Sequence, residues 1–147
     1  SRFAGLGIER QQLADSINCT LGQRLVRRLC PYCKKEAKLS EEKIDEIKSS
    51  LERLTPSSGV KLPADFRFYE AVGCEKCHNV GYKGRIGLFE VIEMTNEMEK
   101  VIQEKNTTNH DIENLALQSG AVLMKQDGIL KALSGETSID EIFRVVK

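Results

Sequence analysis

Two Cys-x-x-Cys pairs, Cys30/Cys33 and Cys74/Cys77, are the residues of this chain best suited to chemistry. Each turn can aim two thiolates at one point, and two such turns complete the four-sulfur shell of a structural zinc site. The forty residues between Cys33 and Cys74 are more than a compact zinc ribbon uses, but they leave room for a helix. Zinc would then clip the ends of residues 30–83 together. Structural zinc contributes ~10 kcal/mol to folding in small modules, and a segment this short buries little core unaided. Lys34, Lys35 and Lys76 lie beside the cysteines in sequence and are expected to ease their deprotonation.

Two rival chemistries use only half of these residues. Cys30-Pro31-Tyr32-Cys33 is the glutaredoxin active-site tetrapeptide, which would make the chain a thiol-disulfide oxidoreductase. It leaves Cys77 without a role, and Arg24, Arg27 and Arg28 crowd the strand that would carry it. Cys74-Glu75-Lys76-Cys77-His78 matches a haem attachment signature, with His78 as axial ligand and His110 or a Met opposite. It leaves Cys30 and Cys33 unexplained. His78 is otherwise read as a surface residue. Cys19, the fifth cysteine, is read as a small buried core residue.

Composition narrows the function classes. The 147 residues suffice for one domain or two small ones. The chain begins at Ser1 rather than Met and is read as a piece of something longer. Lys plus Arg number 22 and so do Asp plus Glu. That balance carries no basic footprint for nucleic acid. No apolar run is long enough to span a membrane and no signal-peptide pattern leads the chain.

The elements that must position the cysteines follow from periodicity. Arg10–Ser16 reads as a short helix and Ile17–Leu29 as a strand entering the first knuckle. Ser40 can cap a helix running to Leu54, with Leu39 and Ile44 as its staple and Ile44, Ile47, Leu51 and Leu54 on one face. Arg67–Val72 is expected to be a strand entering the second knuckle. Gly81–Gly84 reads as a turn and Arg85–Met94 as the strongest strand. Helices follow over Asn96–Glu104, His110–Gln118 and Leu123–Leu133, the last stopping at Gly135. Ser138 and Glu141 form a capping box for a final helix. The apolar face of the Leu123–Val146 tail is read as core packing.

The order of these residues resembles a known family. Gln23-Arg24-Leu25-Val26-Arg27-Arg28-Leu29-Cys30-x-x-Cys33 is followed by Cys74-x-x-Cys77-x-x-x-Gly81-Tyr82-x-Gly84-Arg85-x-Gly87-Leu88-Phe89-Glu90. Then come Gln126-Asp127-Gly128-Ile129-Leu130-Lys131 and Ser134-Gly135-Glu136-Thr137-Ser138 with Asp140-Glu141. Together they are similar to the C-terminal part of the type II secretion and type IV pilus assembly ATPases. Gly22 departs from the Ala more often found before Gln-Arg-Leu.

The resemblance implies an α+β chain, part of an α/β RecA-like P-loop ATPase C-terminal domain. Residues 1–29 and 84–94 would be remnants of the ATPase core, residues 30–83 the zinc-binding insertion, and residues 95–147 a C-terminal helical bundle. The family's members are cytoplasmic homohexamers on an inner-membrane platform protein, where ATP hydrolysis drives pilin or pseudopilin extrusion. Cys30, Cys33, Cys74 and Cys77 would bind the zinc. No Gly-x-x-x-x-Gly-Lys-[Ser/Thr] occurs here, so ATP and Mg²⁺ would bind upstream, in the full-length parent only. This chain alone is expected to have no catalytic residue. Arg24 and Arg85 are the candidates for contact with nucleotide or a subunit interface, because a guanidinium can sense phosphate charge there. The plainer reading of both is a surface arginine in an ion pair.

Overall fold

A computed structural model describes residues 7–104 and 107–146. Its centre is a long antiparallel ribbon of β1 (Cys19–Leu29) and β4 (Tyr82–Glu93). Register runs from Cys19↔Glu93 to Arg27↔Arg85 and then slips to Leu29↔Tyr82. Two residues of β4, Lys83 and Gly84, there oppose Arg28 alone. This is a β-bulge, and it bends the ribbon where the cysteines begin. Residues 82–84, expected as turn, are therefore strand.

Side-chain alternation gives the ribbon two unlike faces. Val26 and Leu88 are buried, and they pack with Ile86 against Ile142 of α6 (Ile139–Val145). Leu21, Leu25, Phe89 and Val91 share the opposite face and are exposed, Leu21 by 63%. Cys19 has the parity of Leu21 and is exposed too, not buried as its apolar neighbours suggested. Leu21, its apolar neighbour in the strand, is itself on the outer face.

Between the strands lie α2 (Glu41–Glu52) and a minimal sheet of β2 (Lys35–Glu36) with β3 (Tyr69–Glu70). The expected strand over residues 67–72 shrinks to two residues, because the second knuckle begins at Gly73. Ser40 occupies the N-cap position of α2 but its hydroxyl makes no capping bond. Glu41 and Glu42 in the first turn complement the helix dipole instead. Ile47 and Leu51 of α2 and Phe68 share a core with Ile129, Ala132 and Ile139.

The tail helices fall into two groups. α3 (Asn96–Gln103) packs on α1 (Arg10–Ser16) and on α4 (Asn109–Gln118). α5 (Met124–Leu133) packs on β4, α2 and α6. The buried residues Ile129, Ala132, Ile139 and Ile142 show that the apolar face of the last two helices is core. α5 ends in a Schellman turn, with Gly135 N–H bonding Ala132 O and Glu136 N–H bonding Lys131 O, both at 3.0 Å. No helix among the described residues is long and apolar enough to cross a membrane.

Candidate metal centre

Each knuckle is shaped by its own backbone. β1 delivers Cys30, whose N–H bonds Gly81 O at 3.0 Å and so ties the two knuckles together. Cys30 O then accepts from Cys33 N–H and Lys34 N–H at 3.4 and 3.1 Å. In the second knuckle Cys74 O accepts from Cys77 and Asn79 at 3.1 and 2.9 Å. His78 and Asn79 both take positive φ, 52° and 59°, a conformation rare outside glycine. Gly73 and Gly81 frame this turn at φ 113° and 79°. A Cβ on Gly73 would lie 2.7 Å from Asn79 O, and one on Gly81 2.6 Å from Ala71 Cβ. Only glycine fits either place.

The result is one cluster of four sulfurs, all within 4.8 Å of one another. Cys30 to Cys74 is 3.9 Å, and Cys33 to Cys77 and Cys74 to Cys77 are each 3.8 Å. A tetrahedron with metal–sulfur bonds of ~2.3 Å has sulfur–sulfur edges of ~3.8 Å. The donor set and its spacing therefore fit one tetrahedral thiolate-bound ion. No histidine or carboxylate joins this cluster among the described residues.

The cluster's electrostatics come from backbone, not from lysines. Burial pushes the Cys77 thiol up, but N–H groups of Cys74 and Gly81, both 3.2 Å from its sulfur, outweigh it. With the Cys74 and Cys33 thiols they hold it down at about 6. Cys33 is pushed up to about 11 by burial, against the opposing Gly73 N–H at 3.3 Å and with help from the other three thiols. Cys77 thus carries charge readily while Cys33 resists it, and a cation bound among the sulfurs would favour the thiolate form. The three lysines expected to assist face elsewhere. Lys34 donates to Gly135 O at 2.7 Å, Lys35 pairs with Glu70 at 2.9 Å, and Lys76 lies 3.9 Å from the centre of the Tyr32 ring.

This geometry opposes both rival chemistries. An oxidoreductase needs an accessible, acidic nucleophilic thiol. Cys30 is fully buried, and the raised thiol is its partner Cys33. A haem would need Cys74 and Cys77 free of the other pair, whereas they meet Cys30 and Cys33. His78 is exposed, as its surface reading expected.

Arg24 and Arg85 do not come together. Arg24 is opposite Leu88 and Arg85 opposite Arg27, so the two point to opposite faces of the ribbon. Both are exposed, and neither forms an ion pair among the described residues. Arg24 only bonds the adjacent Gln23 carbonyl, at 3.3 Å.

Sequence reasoning missed a second group, the side chains that cap the ribbon's free edges. On the β1 edge, Arg27 N–H donates to the Glu141 carboxylate at 3.0 Å and Thr137 donates to Arg27 O at 2.9 Å. On the β4 edge, Phe89 N–H donates to Asp127 at 2.9 Å and Lys131 donates to Gly87 O at 2.9 Å. Asp127 and Lys131, one helical turn apart, also pair with each other. Glu141 was expected to close a capping box with Ser138. Ser138 does accept from Glu141 N–H at 3.3 Å, but the carboxylate does not return to it. It is buried and binds Arg27 and Arg144 instead. Burial pushes it up, yet the Arg144 and Arg27 hydrogen bonds outweigh this and hold it at about 2. The only signal in the sequence was a carboxylate on the core side of an amphipathic helix.

An α+β chain with a four-thiol, metal-ready clasp inserted between two ribbon strands is a recognisable class of protein. The family model for "Type II/IV secretion system protein" matches residues 1–144. The chain belongs to that family. It is 35% identical over 147 residues, all of this chain, to the type IV pilus assembly ATPase PilB of Pseudomonas aeruginosa, covering 24% of that protein. It is 33% identical over 147 residues to the type II secretion system protein E of Aeromonas hydrophila, covering 27%. It is also 33% identical over 143 residues to PilB of Thermus thermophilus, covering 15%. The chain therefore spans about a quarter or less of the length of these relatives.

Proposed function

We propose that this chain is the C-terminal, zinc-binding region of a hexameric cytoplasmic ATPase that powers type II protein secretion or type IV pilus assembly. The observation that carries this reading is the tetrahedral spacing of four sulfurs in a chain of this family. Cys30, Cys33, Cys74 and Cys77 hold one zinc ion, which clips residues 30–83 onto the ribbon. The clip is structural, and the region's direct role is to shape the assembly and bear contacts.

ATP and Mg²⁺ bind in the upstream part of the parent, which supplies the phosphate cradle. Residues 1–29 and 84–94 complete that ATPase core, and residues 95–147 follow it as a helical region. Arg24 and Arg85, exposed and without an ion pair among the described residues, contact nucleotide or a neighbouring subunit of the ring. The parent acts at the cytoplasmic face of the inner membrane, on a platform protein. Elemental analysis of the purified chain tests the metal assignment: one zinc per chain is expected, and its absence from protein purified under reducing conditions would sink it. ATPase assays on parent protein carrying Arg24→Ala or Arg85→Ala test the arginines. Wild-type turnover and ring assembly in both would remove them from the site.

A further inference from the structure

The loop Ser134–Ser138 between α5 and α6 is stitched to the first knuckle and to the strand ends beside it. Lys34 follows Cys33 directly and donates its ammonium to Gly135 O at 2.7 Å. That ammonium also sits 4.8 Å from the centre of the Tyr69 ring. Contact is close enough that a Cβ on Gly135 would lie 2.6 Å from Lys34 Nζ. One residue on, Leu29 N–H bonds Glu136 O at 2.9 Å and Arg28 pairs with the Glu136 carboxylate at 3.5 Å. Tyr82, one residue past the second knuckle, shares a hydrogen bond with Ser138 at 2.9 Å. Ser138 is itself the N-cap of α6. An open cavity of about 520 Å³ lies along this seam, lined among others by Arg28, Lys34, Lys83 and Glu136. Two of its three cations are already turned onto Gly135 O and Glu136, so we read it as a solvated gap that the clasp spans rather than a ligand site.

We propose that Lys34 is a positioning residue that transmits metal occupancy to the C-terminal helix. The inference rests on the zinc assignment above. Gathering the four sulfurs fixes the Cys30–Cys33 turn, and that turn fixes where Lys34 leaves the backbone. Lys34 then holds the Gly135 carbonyl, and the loop presents Ser138 to cap α6. Releasing the metal removes the cation that keeps the thiols together. The clasp then loses its anchor, and the start of α6 opens by local unfolding. Helices α3 and α4 lie outside this path.

Hydrogen exchange read by mass spectrometry on the zinc-loaded protein, with and without chelator, tests it. Chelation is expected to speed exchange over residues 134–142 by roughly tenfold or more, while α4 keeps its protection. Lys34→Ala should retain one zinc yet show the faster exchange with metal bound, and Lys34→Arg should restore most of the protection. If Lys34→Ala loses its zinc, Thr137→Val separates the effects. It weakens the loop's link to β1 without touching the knuckle, and should speed exchange over 134–142 with zinc retained. Unchanged exchange at 134–142 after verified zinc loss would overturn the coupling and leave the zinc site intact. Loss of protection throughout, α4 included, would also overturn it. A protein that binds no zinc fails the metal assignment itself, by a different readout.

Discussion

The knuckle cluster and the ribbon–helix seam are close in space but cohere by opposite means. At the seam, Val26, Leu88 and Ile142 are fully packed, and each free edge of the ribbon meets a carboxylate and a hydroxyl or ammonium. Every force there is supplied by the chain. At the knuckles the buried side chains are chiefly Cys30 and Cys77, and four sulfurs are brought within 4.8 Å of one another. On the proposed zinc assignment, that arrangement gains its stability from a cation. The same fold thus contains one region whose contacts are all between the chain's own groups and one whose donor set fits an added cation.

Removing the cation should separate the two most strongly. Cys77→Ser, or chelation of the wild type, withdraws a contribution on the order of 10 kcal/mol from the knuckles. The measurement is exchange protection along the chain: residues 30–34 and 73–81 should lose it, while Val26 and Leu88 keep it. Uniform behaviour of both regions would erase the comparison.

Next in size is the seam's buried carboxylate. Glu141→Ala should cost about 2–3 kcal/mol in denaturant melts, because it orphans Arg27 N–H and frees two guanidinium groups. Its acidity adds a pH signature. Glu141 is held at about 2, below the ordinary 4.5. Its contribution is therefore full above pH 4.5 and is lost as pH falls towards 2. Glu141→Gln should flatten that part of the acid profile, and an unchanged profile would show that the carboxylate is not ion-paired.

A smaller effect is expected where α5 meets α6. A Cβ on Gly128 would lie 2.8 Å from Ile142 Cδ1, so Gly128→Ala should destabilise by about 1–2 kcal/mol after its gain in helix propensity. Zinc content should not change. The smallest effect distinguishes two serines in the same sequence role. Ser138→Ala removes a made cap and should cost about 1 kcal/mol, whereas Ser40→Ala removes none and should cost under about 0.5 kcal/mol. Equal losses would mean that Ser40 caps α2 in solution.

Much of this fold was legible because its signals are local. The helices over Glu41–Glu52, Asn109–Gln118 and Met124–Leu133 follow apolar spacing. The Thr108–Asp111 box was not anticipated, although both of its residues lie within one turn. The candidate site was legible in ligand identity, because two Cys-x-x-Cys turns supply four donors whatever joins them. Its electrostatics were not. Lysines adjacent in sequence looked like the charge partners, but backbone N–H groups took that place.

The sequence by itself determined the four cysteines, the succession of helices and of the two ribbon strands, and the family through the order of its motifs. Tertiary structure alone decided which face of each strand is inside. Cys19 and Val26 differ in burial because Val26 has the parity that packs on Ile142, whereas Cys19 has the parity of the exposed Leu21, Leu25 and Val91. It also decided why Asp127, Lys131, Thr137 and Glu141 are where they are. Their partners are strand-edge groups as much as 114 residues away, and an edge donor left over by one pairing is invisible until that pairing forms. Spacing along a chain encodes what neighbours do together, whereas the needs of a sheet edge arise only once the sheet exists.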